Sequence, residues 1–250
     1  MKKILIMGAS SGIGRRVAEA LASRGIMVGA AARNKKALEE LKKRYPETIE
    51  IEQVDINHKD APSKMYDLIK KMGGMDIYFH VSGIGYSNPP MDPEREVDIV
   101  MTNACGFARM VSTAYRYFRD NGGKGQIIAL TSVAGTNGIG QMAAYSASKK
   151  FDQTYLVALE QLALEENLKI KFTDIRPGWV RTPLLSDEKE YPMEMPLDYV
   201  VPQIIRAIVR HPRVAVIDWR YNLLVGLWRL IPNALWIKMR LPSLDEGLFS

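Results

Sequence analysis

Short apolar segments alternate along this 250-residue chain with longer segments in which apolar residues recur every three or four positions. The long segments have the spacing of amphipathic helices, and the short ones have the length and content of buried strands. The predicted strands are KILIM (3–7), IMVGAAA (26–32), IEIEQV (49–54), DIYFHV (76–81), QIIALT (126–131), KIKFTDI (169–175) and VAVI (214–217). Strands that alternate with helices predict right-handed βαβ crossovers and a parallel sheet covered on both faces. We therefore predict a single α/β domain built on a doubly wound parallel sheet of about seven strands.

A glycine-rich loop, GASSGIG (8–14), connects the first predicted strand to a clear helical segment. Ligands of doubly wound sheets bind beyond the carboxyl ends of the strands, which is where this loop lies. Glycines permit a tight turn and let backbone N–H groups approach a pyrophosphate at the positive end of the helix. The GxxxGxG spacing differs from the commonest GxGxxG fingerprint, and a plain strand-to-helix turn is the alternative, but we interpret the loop as a cofactor site. Its candidate residues are Gly8, Ser10, Ser11, Gly12, Ile13 and Gly14.

Arg33 follows the second predicted strand, where folds that bind the unphosphorylated dinucleotide usually place an acid for the ribose hydroxyls. Because an arginine can pair with a 2′-phosphate, we expect NADP(H) to be favoured over NAD(H). The alternative is an exposed arginine at the start of a helix. Asp55, after the third strand and beside Ile56, is placed to accept from an adenine amine, although it can equally cap a helix.

Tyr145 and Lys149 lie four positions apart in AAYSASKK (143–150), on one face of a predicted helix. A phenol titrates at about pH 10, and a neighbouring ammonium favours the phenolate, which lowers the pKa of the phenol toward the working pH. The pair therefore combines a proton donor with the group that tunes it. The small residues around it leave room for a planar ring and a substrate. A Tyr-x-x-x-Lys pair also occurs by chance on ordinary half-exposed helices.

Two further polar residues have positions that suit the same chemistry. Ser132 follows the strand QIIALT, where its hydroxyl can hydrogen-bond a substrate carbonyl as charge develops on the oxygen. Asn103, in the helical stretch MTNACGF before that strand, is a candidate to hold a water on a proton path to Lys149. A buried helix asparagine bonded to the backbone is the alternative for Asn103.

Taken in order, the motifs GASSGIG, VDI, TNACG, LTSVAG, YSASK and PGWVRTP resemble those of the classical short-chain dehydrogenase/reductase family over about residues 3 to 217. The resemblance implies a Rossmann-type fold and hydride transfer from a nicotinamide. It implies a catalytic tetrad of Asn103, Ser132, Tyr145 and Lys149. It also implies a set of cofactor-binding residues that adds Ser82, Gly83, Tyr145, Lys149, Pro177, Gly178, Val180 and Thr182 to those above, with Lys149 bonded to the ribose hydroxyls.

The sequence departs from the family pattern in two places. The usual NNAG after the fourth strand reads His80-Val81-Ser82-Gly83, and Met7 replaces the usual threonine before the first glycine. Because valine cannot make the hydrogen bonds of an amide, a backbone partner must be satisfied in another way. We expect altered packing at the centre of the sheet and weaker cofactor binding, with the chemistry retained.

Composition narrows the class of protein. One cysteine excludes an internal disulfide framework, and three scattered histidines give no metal-ligand cluster, so we expect a cytoplasmic protein without a metal. The first apolar run, after MKK, is too short for a signal peptide. The net charge of +6 arises from dispersed basic residues without interleaved aromatics, which argues against nucleic acid and favours an anionic small ligand.

Two segments near the end of the chain point to the substrate. PLLSDEKEYPMEMP (183–196) is interpreted as a mobile lid. We assign 1–218 to the catalytic domain and 219–250 to a hydrophobic and basic helical extension. Tryptophans and cations in 219–240 fit a helix at a membrane interface, but an oligomer contact or a wall of the substrate pocket is the favoured alternative. Whether the extension is a membrane helix, an oligomer contact or a pocket wall, its composition favours a hydrophobic or lipid-like substrate.

These observations give a leading hypothesis and two alternatives. The leading one is an NADP(H)-dependent carbonyl reductase or alcohol dehydrogenase, and the family resemblance implies a homodimer or homotetramer. The second is a catalytically silent nucleotide-binding scaffold or sensor, which the altered HVSG motif leaves open. The third is a peripheral membrane-binding protein whose extension matters more than its chemistry.

Overall fold

The computed structural model describes residues 2–182 and 191–239, and within them seven parallel strands form one sheet. The strands are β1 (Lys3–Met7), β2 (Met27–Ala32), β3 (Ile49–Gln53), β4 (Ile77–His80), β5 (Lys124–Leu130), β6 (Lys169–Arg176) and β7 (Val214–Val216). Their order across the sheet is β3-β2-β1-β4-β5-β6-β7. The prediction of a doubly wound parallel α/β fold is therefore confirmed, and each strand lies where the sequence pattern places it.

Helices connect the strands and cover both faces of the sheet. They are α1 (Gly12–Ala22), α2 (Lys35–Arg44), α3 (Ala61–Met72), α4 (Pro93–Val100), α5 (Phe107–Asp120), α6 (Ala143–Glu165), α7 (Leu197–Arg210), α8 (Trp219–Leu230) and α9 (Asn233–Trp236). Side chains alternate along the strands, so Ile4 and Ile6 of β1 enter one core cluster while Leu5 and Met7 enter the other. Both layers of the core therefore meet at the central strand.

The switch in strand order positions the site. β1 pairs with β2 on one side and with β4 on the other. The first three strands are therefore added toward one edge of the sheet and the later strands toward the other edge, with β1 as the point of change. The crevice at such a switch point, outside the carboxyl ends of the strands, is where open α/β sheets bind ligands. The loops that follow β1, β4 and β5 lie at this edge.

Two local features differ from the sequence-based expectation. The helical stretch through MTNACGF is not one helix, because a π-helical turn at Met101–Gly106 separates α4 from α5. β5 begins at Lys124, two residues before the predicted strand. The reason is Gly125, since a Cβ there would lie 2.3 Å from the ring of Phe118, and the missing side chain lets that ring pack directly on the strand.

The C-terminal extension forms two helices whose inner side joins the core. Tyr221 and Val225 of α8 are buried with the cluster that contains β1 and α7, so the division at residue 218 stays a prediction. Among the described residues, none belongs to a helix long and apolar enough to cross a membrane. Most of the predicted lid, residues 183–190, lies outside the part of the chain that the structure describes.

Candidate active site

The loop between β1 and α1 places backbone N–H groups at the end of β1. Glycines in this loop leave those groups without side chains in front of them. Gly8 has a φ of +103°, and a Cβ there would lie 2.6 Å from the backbone nitrogen of Ser82. A Cβ at Gly14 would lie 2.1 Å from the carbonyl oxygen of Gly8, so neither position accepts a larger residue. Ser11 is the N-cap of α1, but its side chain makes no capping bond, which leaves the first N–H groups to an anion. Of the other loop candidates, Ser10 is half-buried, Gly12 begins α1 and Ile13 is buried.

The ends of β2 and β3 carry the residues expected to meet the adenosine half of a dinucleotide. Arg33 is exposed, its carbonyl accepts from the amide of Gln53 at 2.9 Å, and its guanidinium forms no ion pair within the described ranges. Asp55 Oδ1 accepts from the backbone N–H of Asn57 at 3.0 Å within a turn. The N-cap of the following helix is Asp60, so the helix-capping alternative for Asp55 is wrong. Ile56 is buried beside it. The uncapped helix end and the exposed guanidinium are the groups in this part of the site that could bind the phosphates of a dinucleotide.

Tyr145 and Lys149 lie on one face of α6, as the spacing predicts. Lys149 Nζ lies 5.9 Å from the centroid of the Tyr145 ring. Lys149 is buried, whereas Tyr145 is partly exposed, and no group in the described chain hydrogen-bonds its hydroxyl. A Cβ on Gly85 would lie 2.6 Å from the ring of Tyr145, so this glycine lets the loop after β4 pass directly against the phenol. The tyrosine is thus held by the fold and open toward a substrate.

The ammonium of Lys149 donates hydrogen bonds to two oxygen atoms. Its Nζ donates to the carbonyl of Leu130, the last residue of β5, at 3.4 Å and to Asp152 Oδ2 at 3.1 Å. Burial by itself would lower the pKa of Lys149, but the carboxylate of Asp152 and the phenol of Tyr145 outweigh it, so the pKa is raised. Burial raises the pKa of Asp152 to about 7, although the Lys149 ammonium acts in the opposite direction. The lysine is therefore kept as an ammonium beneath the tyrosine.

Ser132 lies at the end of β5 in a short turn that packs against α6. Its hydroxyl accepts from the backbone N–H of Ala134 at 3.1 Å, and its carbonyl accepts from the amide of Gln153 at 2.9 Å. A Cβ on Gly135 would lie 2.8 Å from the backbone of Lys149, so the turn sits directly on the helix. The serine and the tyrosine–lysine pair are thereby fixed to the same rigid elements.

Asn103 lies in the π-helical turn and braces the loop that follows β4. Its Oδ1 accepts from the N–H of Ile84 at 2.8 Å, and its Nδ2 donates to the carbonyl of Ile84 at 2.7 Å and to the Ser148 hydroxyl at 3.2 Å. This is the backbone-bonded asparagine considered as the alternative. A Cβ on Gly83 would lie 3.2 Å from Asn103 Oδ1 and 3.6 Å from Lys149 Nζ, so both atoms face the same point. A water held there by Asn103 stays a prediction.

His80, the first residue of the altered HVSG motif, is buried beneath the site. Its Nδ1 lies 2.8 Å from the Tyr78 hydroxyl, and its ring meets that of Phe107 edge to face at 5.0 Å. Nε2 has no partner among the described residues. Burial, together with the charge of Lys149, lowers the pKa of His80 to about 3, so the imidazole is neutral.

The rest of that motif is anchored by backbone bonds. The N–H groups of Val81 and Ser82 both donate to the carbonyl of Met7, at 2.8 and 2.9 Å. The turn therefore keeps its place although Val81 supplies no amide side chain. The expectation that cofactor binding is weakened stays a prediction.

The segment after β6 is clamped by a residue of the C-terminal extension. The Tyr221 hydroxyl accepts from the N–H of Trp179 at 3.1 Å and donates to the carbonyl of Pro192 at 3.1 Å. A Cβ on Gly178 would lie 2.0 Å from the Tyr221 ring, so glycine is required for the tyrosine to close over the segment. Of the other candidates in this segment, Pro177 and Val180 are buried, and Thr182 is half-buried at its end.

Three contributors to the site were not identified from the sequence. Asp152 follows Lys149 by three positions, a helical spacing that signals an ion pair and would have revealed it. Gly85 and Tyr221 leave no such signal, because their importance depends on rings brought together by the fold. Within residues 2–182 and 191–239, no group of three metal-ligating side chains converges, and the site depends on the residues above.

Comparison with known proteins identifies the family to which this chain is similar. The sequence pattern of the short chain dehydrogenase family matches residues 2–192. An uncharacterized oxidoreductase of Myxococcus xanthus (strain DK1622) is 30% identical over 239 residues, which cover 92% of this chain and 93% of that relative. The farnesol dehydrogenase of Aedes aegypti is 28% identical over 200 residues, which cover 74% of this chain and 80% of the relative.

The fold has solved counterparts. A short chain dehydrogenase of Burkholderia cenocepacia J2315, solved in complex with NADP, superposes with a TM-score of 0.81 over 97% of this chain and 100% of its own, at 18% identity. At that identity the likeness concerns the fold, and the family rests on the sequence match. The sequence match assigns the family, and the superposition shows that the fold is the one found in a solved short chain dehydrogenase.

Proposed function

The chain belongs to the short-chain dehydrogenase family, and from that premise we propose that it is an NADP(H)-dependent oxidoreductase that reduces an apolar carbonyl compound or oxidises the corresponding alcohol. The observation that carries the proposal is the relation between Tyr145 and Lys149, with a buried ammonium 5.9 Å from the ring of a partly exposed phenol. Both side chains lie at the switch point of the sheet, where the glycine loop leads into a helix whose N-cap, Ser11, makes no side-chain capping bond.

The chain's own residues have separate tasks in this reaction. Ser132 and Tyr145 orient the substrate carbonyl through their hydroxyls and stabilise charge that develops on its oxygen. Tyr145 donates its phenolic proton to that oxygen, and in the reverse direction it accepts a proton from the alcohol. The ammonium of Lys149, 5.9 Å from the ring of Tyr145, stabilises negative charge that develops on the phenol as its proton leaves. A bound nicotinamide supplies or accepts the hydride.

The proton that Tyr145 gives up is replaced along a path that includes Lys149 and Asn103. Lys149 Nζ and Asn103 Oδ1 both lie close to Gly83, and a water beside this glycine that bonds both would connect them in a proton path. Where Asp152 is ionised, above its pKa of about 7, its carboxylate lies 3.1 Å from the ammonium and keeps Lys149 charged. In this scheme Asp152 is a positioning residue, because it acts only through Lys149.

The preference for the phosphorylated cofactor is argued from the end of β2. Arg33 is exposed beside the glycine loop, and its guanidinium has no ion-pair partner in the described chain. A guanidinium pairs with a phosphate through two parallel hydrogen bonds. The Burkholderia cenocepacia structure holds NADP, which supports the same preference.

We infer the substrate class from two aromatic pairs, one of which includes the neighbour of Gly178 while the other contacts the segment that leads from Ser132 to α6. Trp179 and Tyr191 stack at 4.3 Å, and Trp228 and Trp236 meet edge to face at 5.3 Å. Aromatic walls of this kind suit an apolar carbonyl compound or alcohol. The relative in Aedes aegypti is named for farnesol, an apolar alcohol, which supports this choice.

We place the protein in the cytoplasm, as a homodimer or homotetramer. The free thiol of Cys105 is exposed, which suits a reducing compartment. The silent-scaffold alternative is not favoured, because the changes at His80 and Val81 leave the turn anchored and the tyrosine–lysine pair intact.

The test is a parallel titration of the purified protein with NADPH and NADH, followed by reduced-nicotinamide fluorescence. A charge-assisted contact from Arg33 is expected to favour NADPH by about tenfold to a hundredfold. Equal binding of the two cofactors would contradict the preference. Binding of neither would contradict the proposed function itself.

A further inference from the structure

Helix α8 exposes an apolar stripe on the side that faces away from the core. Trp219, Leu223, Leu227 and Leu230 recur every three or four positions, and their exposed fractions are 72%, 60%, 53% and 79%. After the break at Pro232, the exposed side chains Leu235, Ile237 and Met239 continue the surface. These seven residues are called the outer face below. A helix that buries one side and leaves a second apolar side in contact with water indicates a further binding surface.

The charged residues within the segment 219–239, which carries the outer face, have one sign. Between Trp219 and Met239 the chain carries Arg220, Arg229 and Lys238 and no acidic residue. Arg220 is paired with Asp218, at 2.8 Å, whereas Arg229 and Lys238 are exposed and have no ion-pair partner within the described ranges. The surface therefore combines exposed apolar side chains with two free cations.

This charge pattern favours an anionic lipid surface over a second copy of the chain. A twofold dimer through the outer face would bring the same patch of two subunits together, with cations near cations. Anionic headgroups instead complement Arg229 and Lys238, while leucine and tryptophan side chains enter the boundary between headgroups and acyl chains. Neither α8 nor α9 is long enough to cross the bilayer, so the contact is peripheral.

The inner side of the same helices contacts the chain segment that follows Ser132. The carbonyl of Trp228 accepts from the amide of Asn137 at 3.1 Å, and Trp236 Nε1 donates to the carbonyl of Gly138 at 2.7 Å. Asn137 and Gly138 belong to the segment that leads from Ser132 to α6. One pair of helices thus contacts a segment that begins at Ser132 on one face and solvent on the other.

We propose that α8 and α9 dock the protein on an anionic membrane surface, so that the mouth of the active site opens beside the lipid phase. Apolar carbonyl substrates dissolve in that phase, and docking would deliver them without passage through bulk water. The docking stands on the outer face alone. The delivery of substrate rests on the proposed function.

Flotation of the full chain with lipid vesicles tests the docking without any turnover. The vesicles are either pure phosphatidylcholine or phosphatidylcholine mixed three to one with phosphatidylglycerol, at low salt. Wild type is compared with Leu223→Asn/Leu227→Asn, which makes the outer face polar. The matched control is Leu164→Asn/Val209→Asn, because those side chains are 72% and 66% exposed on α6 and α7, away from the extension. Thermal melting and NADPH binding show that each variant is folded.

We expect wild type and the control pair to float with the anionic vesicles and to remain in solution with the neutral ones. Leu223→Asn/Leu227→Asn is expected to lose binding by at least about tenfold. In Arg229→Gln/Lys238→Gln, affinity is expected to fall by about fivefold for each cation removed. The inference is overturned if wild type does not float, or if the two asparagine pairs bind equally. It is also overturned if the outer-face variant only converts an oligomer to a monomer by mass photometry, since the face would then be a contact between copies.

The docking and the proposed function fail separately. Oxidation of NADPH with a water-soluble ketone, in the absence of vesicles, measures the chemistry alone. Loss of flotation with retained turnover refutes the docking, and flotation without turnover of any carbonyl compound refutes the function.

Discussion

The ammonium of Lys149 and the carboxylate of Asp152 form an ion pair of 3.1 Å in which both side chains are almost completely buried. Asp152 Oδ1 has no partner among the described residues, so the carboxylate is only partly satisfied. A buried pair of this kind contributes little net stability, yet the loss of one partner leaves a buried charge without compensation. The pair therefore helps to keep Lys149 protonated, and the role of Tyr145 depends on that positive charge.

Replacing Asp152 with Asn tests this dependence. The variant leaves the buried ammonium without its counter-charge, so the free energy of unfolding at pH 8 should fall by about 3–5 kcal/mol. The pKa of Lys149 should fall at the same time, which would shift the alkaline limit of the pH profile of kcat to lower pH. Denaturant unfolding and pH profiles measure the two effects.

The control is Glu39→Gln, which removes an exposed ion pair with Lys35 and should lower the free energy of unfolding by about 0.5 kcal/mol or less. An Asp152→Asn variant as stable as this control, with an unchanged profile, would refute the assignment.

The pH dependence of stability should contain two opposite contributions from the buried groups. The pKa of Asp152 is raised to about 7, so the folded state holds its proton more tightly and stability falls as pH rises from about 4 to 7. The pKa of His80 is lowered to about 3, so the unfolded state holds its proton more tightly and stability rises with pH up to about 6.5. Each contribution amounts to about 1.4 kcal/mol per pH unit, and together they cancel between about pH 4 and 6.5.

Single variants should separate these contributions. Asp152→Asn should leave stability that increases with pH between about 4 and 6.5, and His80→Asn should leave stability that decreases over the same range. Urea unfolding followed by tryptophan fluorescence at several pH values measures both slopes against the wild type. If both variants change with pH as the wild type does, one or both groups do not titrate as the buried geometry implies.

A methyl group at Gly85 should disturb catalysis without unfolding the protein. The added Cβ would lie 2.6 Å from the Tyr145 ring, so the ring must move by a fraction of an ångström or more. A misplacement of that size can lower kcat by about a hundredfold, while NADPH affinity should change little. Gly226→Ala is the matched control, because a Cβ there meets nothing within 4 Å and the residue lies in α8, outside the catalytic residues. Steady-state kinetics should separate the two variants, and equal kcat values would show that the ring position is not critical.

Arg33→Gln should remove the preference between the two cofactors. We expect the Kd for NADPH to rise by about tenfold to a hundredfold and that for NADH to stay within about twofold, because only NADPH carries the 2′-phosphate. Arg24→Gln makes the same change in net charge at an exposed position beyond the end of α1 and should leave both constants unchanged. If Arg24→Gln weakens NADPH binding as much as Arg33→Gln, the effect is one of general charge.

Much of this fold was predictable because its signals are local. The alternation of apolar strands and amphipathic helices predicts all seven strands of the described sheet, and the glycines at 8, 12 and 14 mark the loop after β1. Tyr145 and Lys149 were placed on one face by helical spacing alone. These features depend on neighbours in sequence, so the sequence shows them directly.

The remaining features depend on contacts between distant segments. The role of Tyr221 as a clamp depends on its contact with Trp179, 42 positions away, and no local pattern signals that contact. The π-helical turn that places Asn103 is a departure from a stretch with ordinary helical periodicity. The apolar residues after Asp218 were noted in the sequence, but only the fold shows which of them turn inward and which form the outer face.

The most direct test of the central claim is hydride transfer in wild type and Tyr145→Phe, measured in parallel by NADPH oxidation with a panel of apolar ketones and aldehydes. The phenylalanine ring keeps the contact with Gly85 and removes only the hydroxyl, so folding and NADPH binding should survive. We expect the kcat of the variant to fall by about a hundredfold to ten-thousandfold on any substrate that the wild type turns over. An unchanged kcat in a folded, NADPH-binding Tyr145→Phe variant would contradict the account.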